Sequence, residues 1–199
     1  SNVMPLLHAT GVPSCGLHVH VDRKQLTPLG VGKIVVFVNN ENNRNFIISL
    51  SGRVSRSYAE LNAEKKFTSK PSSRYEAVNL KNKNTIEFRI FRSTLDRKEF
   101  FQQLEFVDAV VNFASISSHS LRDMYNLHKF FDYVESNRKR YPNLSDFCFH
   151  YRGSNKIITD VPEKLSRRMR SLLSKVTRTL FQSSSPQGSR VLFKFTHHW

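Results

Sequence analysis

Cysteine, acidic residues and long apolar runs are all scarce in this chain of 199 residues. Its two cysteines, Cys15 and Cys148, are far apart and form neither a disulfide framework nor a Cys-x-x-Cys metal motif. No apolar run approaches the roughly 18–20 residues that cross a bilayer, and the chain does not open with a signal-peptide pattern. These absences favour a soluble cytoplasmic protein with no membrane partner.

The scarcity of acids leaves a large positive charge. Thirty-one Lys and Arg oppose sixteen Asp and Glu, which gives a net charge of +15 and a pI near 10.2. Such an excess favours anionic partners such as nucleic acid or nucleotides. The excess is uneven, because the first fifty residues carry four basic residues whereas residues 151–199 carry ten against two acids.

The stretch 15–22 reads Cys-Gly-Leu-His-Val-His-Val-Asp, and its apolar and polar residues alternate. Strict alternation predicts a strand with one face towards a core. The apolar residues share that face, and the other face carries three candidate metal or phosphate ligands: His18, His20 and Asp22. A half-buried strand with a solvated face would show the same pattern.

Residues 74–92 predict a hairpin around the polar turn 81–84. On its second strand Glu87 and Arg89 share one face, and three apolar residues share the other. If this strand and the first belong to one sheet, both histidines converge with Glu87 and Arg89. Imidazole and carboxylate can ligate a divalent ion, and a guanidinium can hold phosphate or carboxylate. A simple Glu–Arg cross-strand ion pair is the alternative.

The remaining patterns predict mostly helices. Thr27 before Pro28 is a typical helix start, and a second short helix should end at Gly52. Thr94 is expected to cap a long amphipathic helix. Ser120 opens a capping-box pattern that predicts one helix to about Lys139, ended by Tyr141-Pro142.

The end of the chain predicts a separate basic segment. We expect one domain over 1–150 and a basic helical tail with a terminal strand over 151–199. One face of the tail helix is apolar, and its other faces carry five cations that nucleic acid could contact: Arg167, Arg168, Arg170, Lys175 and Arg178. A merely solvated basic face is the simpler alternative.

The motifs at 15–22, 74–80 and 84–95 together resemble the phage-type amidoligases, over residues 13 to 145. That family is similar to glutamine synthetase and glutamate–cysteine ligase in its catalytic sheet. The resemblance implies an α+β fold, with an antiparallel glutamine-synthetase-like sheet packed by helices on one face and a basic C-terminal extension. A phage-encoded member would act in the host cytoplasm.

The resemblance implies an ATP-dependent carboxylate–amine ligase that uses Mg²⁺ or Mn²⁺. The carboxylate of a small molecule or peptide takes the γ-phosphoryl group, and an amine then displaces phosphate. On the family pattern His18 and Glu87 would ligate metal, and Arg89 would hold the acyl phosphate or substrate carboxylate. Glu87 and Arg89 are thus the expected catalytic pair. The expected nucleotide contacts are His20, Arg74 and, as the weakest match, Arg53.

The chain departs from this family before its first strand. In the family, earlier strands supply further acidic metal ligands, but the first fourteen residues here contain no Asp or Glu. The chain therefore resembles the C-terminal part of such a ligase, or a derivative that lost the first part. An upstream segment or a partner chain would then complete the site.

Two other function classes compete with the ligase. His-hydrophobic-His is also the metal motif of HUH endonucleases, which nick single-stranded DNA through a tyrosine. Tyr125 and Lys129, predicted one turn apart on the helix opened by Ser120, match that site loosely, with Asp22 or Glu87 as third ligand. The other alternative is a noncatalytic nucleic-acid-binding or assembly protein.

Overall fold

The computed structural model describes residues 16–52 and 76–154. Within these ranges the protein combines a three-stranded antiparallel sheet with five α-helices. The predicted mixture of helices and antiparallel strands is confirmed at this level. The predicted basic tail from residue 155 onward, with Arg167, Arg168, Arg170, Lys175 and Arg178, lies outside the described residues.

The sheet consists of β1 (Gly16–Asp22), β2 (Val78–Asn79) and β3 (Thr85–Arg92), in the order β1-β3-β2. The long strand β3 therefore lies in the centre and pairs with both neighbours. His20 lies opposite Glu87 on β1 and β3, and Asn79 lies opposite Glu87 on β2 and β3. The prediction that the two motif strands share a sheet is confirmed.

The alternation predicted for β1 is also confirmed. Val19 and Val21 are buried, whereas His18 and His20 are only partly buried. On β3 the corresponding buried residues are Ile86 and Phe88. One face of the β1–β3 pair thus belongs to the core, and the other face is polar.

A β-bulge interrupts β3. Leu17 pairs with Phe91 and Val19 pairs with Phe88, so two residues of β3 lie opposite the single residue His18. The extra residue resets the alternation, and Ile90 and Phe91 are both buried although they are adjacent.

The helices are α1 (Pro28–Asn39), α2 (Arg44–Ser51), α3 (Arg97–Ser115), α4 (Leu127–Ser136) and α5 (Pro142–Ser154). Short 3₁₀ helices cover Arg23–Gln25, Glu41–Asn43 and Leu121–Tyr125. In the described part of the chain, no helix is long and apolar enough to cross a membrane.

Two predicted helix ends are confirmed. The Thr27 hydroxyl accepts the Gly30 N–H at 3.0 Å, with Pro28 in the first turn of α1. At the end of α2, Gly52 has φ of +62°, a backbone conformation that favours glycine. A Cβ at this position would come within 2.6 Å of Arg92 Nε, so a larger residue would also displace the Arg92 side chain.

The predicted start of the long amphipathic helix is wrong. Asp96, not Thr94, caps α3, because its carboxylate accepts the Glu99 N–H at 2.7 Å. The Thr94 hydroxyl instead contacts the Glu99 side chain. Helix α4 ends at Ser136, before Tyr141-Pro142 as predicted, and Pro142 also begins α5, as a proline can at the first position of a helix.

The Ser120 capping box is present but opens a short 3₁₀ helix rather than a long α-helix. The Met124 carbonyl accepts hydrogen bonds from the side-chain amides of Asn40 and Asn43, at 3.0 and 2.9 Å. Asn126 then caps α4 as a new helix. Tertiary hydrogen bonds from the end of α1 therefore accompany the break in the predicted helix.

Aromatic rings fill the core between the sheet and the helices. Phe37 of α1 contacts Phe106 and Phe113 of α3 and Phe130 of α4. Phe91 of β3 contacts Phe106 at a ring-centroid distance of 6.0 Å. These contacts bind the helices to the apolar face of the sheet and leave its polar face for other interactions.

Candidate functional site

The polar face of the sheet carries a group of side chains that converge on one carboxylate. His18 Nδ1 lies 2.9 Å from Glu87 Oε1, and His20 Nε2 lies 3.9 Å from the same oxygen. Arg89 Nε approaches that oxygen to 3.8 Å. The four residues that the sequence placed on one surface are therefore together.

Asn79 is a fifth member that the sequence analysis missed. Its side-chain amide donates to Glu87 Oε2 at 2.8 Å, and its carbonyl oxygen accepts the Lys81 N–H. The predicted turn 81–84 concealed this residue, because closing the hairpin around it would place Asn79 opposite Ile86, one residue from its observed partner Glu87. We call His18, His20, Asn79, Glu87 and Arg89 the Glu87 cluster.

The fold orients each member of the cluster. Direct pairing across β1 and β3 holds His20 beside Glu87, and His20 Nδ1 is also 3.1 Å from the Thr85 hydroxyl. The bulge places Arg89 and Ile90 opposite His18. Strand register and one irregularity in β3 are thus sufficient to focus these side chains on one point.

The cluster lowers the pKa of Glu87 to about 2. Burial by itself raises this pKa, but hydrogen bonds from His18 and Asn79 and the charge of Arg89 outweigh it. Glu87 is therefore a carboxylate at any pH near neutral, and it can anchor cationic or N–H groups.

The cluster is sheltered but accessible. Exposed fractions are 17% and 16% for the side chains of His18 and His20, and 12% and 18% for Glu87 and Arg89. A partly desolvated group of this kind strengthens electrostatic interactions with a bound anion or polar ligand.

The ligand types in the cluster suit a divalent ion only in part. Two imidazoles and one carboxylate are typical ligands of Mn²⁺ or Zn²⁺, whereas Mg²⁺ prefers oxygen. Among residues 16–52 and 76–154, no group of three or more His, Cys, Asp or Glu is arranged to hold a metal ion. A metal at His18 and Glu87 would require their direct contact to open.

Among the described residues, one predicted site residue is not part of the cluster. Asp22 Oδ1 accepts the Lys24 N–H at 2.9 Å and caps the 3₁₀ helix after β1. Arg53, Arg74 and the five cations of the predicted tail lie outside the described residues, so their predicted roles stay predictions.

The residues proposed for a nicking tyrosine site are placed differently from the prediction. Tyr125 ends a 3₁₀ helix and Lys129 belongs to α4, so they do not share one helix. The Tyr125 side chain is buried, its hydroxyl has no hydrogen-bond partner among the described residues, and burial raises its pKa to about 12. Lys129 pairs with Asp123. This placement does not resemble an exposed, activated nucleophile.

Comparison with protein families identifies part of the chain. Residues 27–111 match the family model described as "putative amidoligase enzyme". Over this segment the chain matches the amidoligase family. The match confirms the resemblance seen in the sequence motifs, and it supports a ligase-like function. It indicates neither a phage origin nor a C-terminal position within a longer enzyme.

The amidoligase match includes Asn79, Glu87 and Arg89, whereas β1 with its two histidines precedes it. The match covers less than half of the chain. No curated protein and no solved structure matches the chain.

Proposed function

We propose that the protein is an ATP-dependent carboxylate–amine ligase with the Glu87 cluster at its centre. The observation that carries this proposal is the convergence of two histidines and an arginine on Glu87, beside and within a segment that matches the amidoligase family. We extend the proposal to a glutamine-synthetase-like arrangement of helices on one face of the sheet.

Arg89 would bind the substrate carboxylate and the γ-phosphoryl group that ATP transfers to it. Its guanidinium lies next to Glu87 on the sheltered face, and a guanidinium matches the geometry of carboxylate and phosphate oxygens. His20, which lies on the neighbouring strand β1, would contact a nucleotide phosphate. Glu87 holds both groups through its negative charge and would share a divalent ion with His18.

ATP would supply a phosphoryl group to the carboxylate, and Mg²⁺ or Mn²⁺ would neutralise charge on the phosphate oxygens. The amine nitrogen then forms the amide bond as phosphate leaves, and the nitrogen loses a proton. The low exposure of the cluster would limit attack by water on the activated carboxyl group. We propose small-molecule or peptide acids and amines as substrates.

Nucleotide binding tests this proposal in the full chain. We expect millimolar ATP with Mg²⁺ or Mn²⁺ to raise the melting temperature of the wild type by a few degrees. Arg89→Gln should lose this shift. Arg92→Gln is the matched control, because Arg92 ends the same strand but pairs with Glu99 at 2.8 Å.

Turnover provides the second measurement. Phosphate release that requires both an added carboxylic acid and an added amine would support the ligase, and Arg89→Gln should abolish it while Arg92→Gln retains it. The proposal fails if neither metal gives an ATP-dependent shift in the wild type. It also fails if the two arginine variants lose nucleotide binding equally.

A further inference from the structure

A second group of basic residues lies at one end of the sheet, where β1 ends and the turn between β2 and β3 begins. We call Arg23, Lys24, Lys81 and Lys83 the sheet-end patch. The last residue pair of β1 and β3 is Asp22 with Thr85, so the chain segments on either side of that pair lie together. No predicted site residue belongs to this patch.

Hydrogen bonds join the two segments of the patch. The Arg23 N–H donates to the Asn84 carbonyl at 2.8 Å, and Arg23 Nη1 donates to the Asn82 carbonyl at 3.1 Å. Within the turn, the Asn82 side chain accepts the Asn84 N–H at 2.9 Å. These bonds fix the backbone from which the basic side chains extend.

The three lysines of the patch are exposed. In the described ranges, none of the four patch residues forms an ion pair with a carboxylate. Several basic residues elsewhere are compensated: Arg92 pairs with Glu99, Arg140 with Asp108 and Arg152 with Asp132. The patch is therefore a local concentration of uncompensated positive charge.

Arg23 is the partly buried member of the patch. Its Nε atom is buried and has no hydrogen-bond partner in the described part of the chain, and burial lowers the pKa of this guanidinium. Leaving a buried N–H donor of a cation unpaired is unfavourable. Because Nε is enclosed and Nη1 is held by the Asn82 carbonyl, Arg23 would act on a surface anion through its charge rather than through a bond to Nε.

We propose that the sheet-end patch binds the phosphate backbone of double-stranded nucleic acid without reading its bases. The net charge of +15 favours a polyanion over a single small anion. Residues 22–25 and 79–84 contain no aromatic side chain, so they offer no platform for the stacked bases of a single strand. Exposed lysines are typical phosphate contacts.

Two variants of the full chain with equal loss of charge test the proposal. The patch variant combines Lys24→Gln, Lys81→Gln and Lys83→Gln. The matched control combines Arg97→Gln, Arg122→Gln and Lys139→Gln, which are also exposed and lack carboxylate partners among the described residues. Binding to a labelled 20-base-pair DNA duplex is followed by fluorescence anisotropy between 50 and 200 mM salt, with circular dichroism to check folding.

We expect the patch variant to bind at least about tenfold more weakly than the wild type at 100 mM salt. Its slope of log affinity against log salt should be smaller by about 3, because each phosphate contact contributes about 0.9. The control should keep a slope close to that of the wild type. Equal losses in the two variants would overturn the proposal, as would a wild type that does not bind the duplex at 50 mM salt.

A competition experiment distinguishes binding of a nucleic-acid polymer from binding of a small phosphate anion. Inorganic triphosphate should displace the duplex only at concentrations far above those of an equivalent unlabelled duplex. Displacement at equal phosphate concentration would overturn the assignment to nucleic acid and indicate a small-anion site.

Discussion

The sheet carries two groups of basic residues that differ in one respect. In the Glu87 cluster, His18, His20 and Arg89 surround a carboxylate within 2.9 to 3.9 Å. In the sheet-end patch, four cations lie close together without a carboxylate partner in the described ranges. Similar residue types can therefore form either a sheltered centre whose charges are compensated or an exposed surface whose positive charges are not.

The two arrangements should respond differently to mutation. A carboxylate that holds several donors stabilises the fold, because its removal leaves buried donors without a partner. Exposed cations of like sign contribute little to folding or oppose it, and salt weakens their interactions. Stability measurements can therefore test the difference between the Glu87 cluster and the sheet-end patch without knowledge of any ligand.

The largest effect should come from Glu87→Gln. We expect it to lower the free energy of unfolding by about 2–3 kcal/mol, because a neutral amide cannot compensate Arg89 or accept both hydrogen bonds equally well. Urea denaturation at pH 7 in metal-free buffer measures this. Glu41→Gln is the control, since Glu41 is 63% exposed and pairs with Arg44 at 3.6 Å, and it should cost less than about 0.5 kcal/mol. Equal losses of stability in Glu87→Gln and Glu41→Gln would contradict the special role of the Glu87 carboxylate in folding.

The next largest effect should be the pH dependence of the stability difference between the wild type and Glu87→Gln. The pKa of Glu87 is about 2 in the folded protein against an ordinary value of 4.5. A lowered folded pKa gives stability that is present above pH 4.5 and is lost as pH falls towards 2. We expect the stability gap between wild type and Glu87→Gln to narrow by about 1–2 kcal/mol from pH 5 to pH 3. A constant or widening gap in urea titrations would show that Glu87 is not held as a carboxylate.

The smallest effect should come from the patch. Lys24→Gln, Lys81→Gln and Lys83→Gln together should change the free energy of unfolding by less than about 0.5 kcal/mol, with any gain seen at low salt. Thermal unfolding at 20 and 500 mM salt checks this. A loss above about 1 kcal/mol would mean that the lysines support the fold. Weaker duplex binding by this variant would then count only if circular dichroism shows that the variant is folded.

The sequence predicted the centre of the site because its signals are local. Alternating residues placed His18 and His20 on one face, and the same alternation placed Glu87 with Arg89. Side-chain direction in a strand follows from position alone, so these assignments needed only the assumption of a shared sheet. The family match supports the chemistry proposed for this face but leaves the role of each residue to experiment.

What the sequence analysis missed depends on contacts between distant segments. Asn40 and Asn43 hydrogen-bond the Met124 carbonyl more than 80 residues away, where one long helix was expected. Asp96 rather than Thr94 caps α3, a choice between two good capping residues that local preference alone does not decide. Asn79 could have been found from hairpin register, but its bond to Glu87 required the turn length to be correct.

The bulge in β3 divides that strand into two parts with separate tasks. Residues before the bulge supply Glu87 and pair with the histidine end of β1, whereas Arg92 after it packs over Gly52 and pairs with Glu99. Because the extra residue absorbs the change in side-chain direction, the two parts can vary with little effect on each other. Deleting Ile90 should restore regular alternation, keep Glu87 in place and leave Phe91 on the core face opposite Leu17. The bulge is therefore the point at which this strand can lose one residue without exchanging core and site residues.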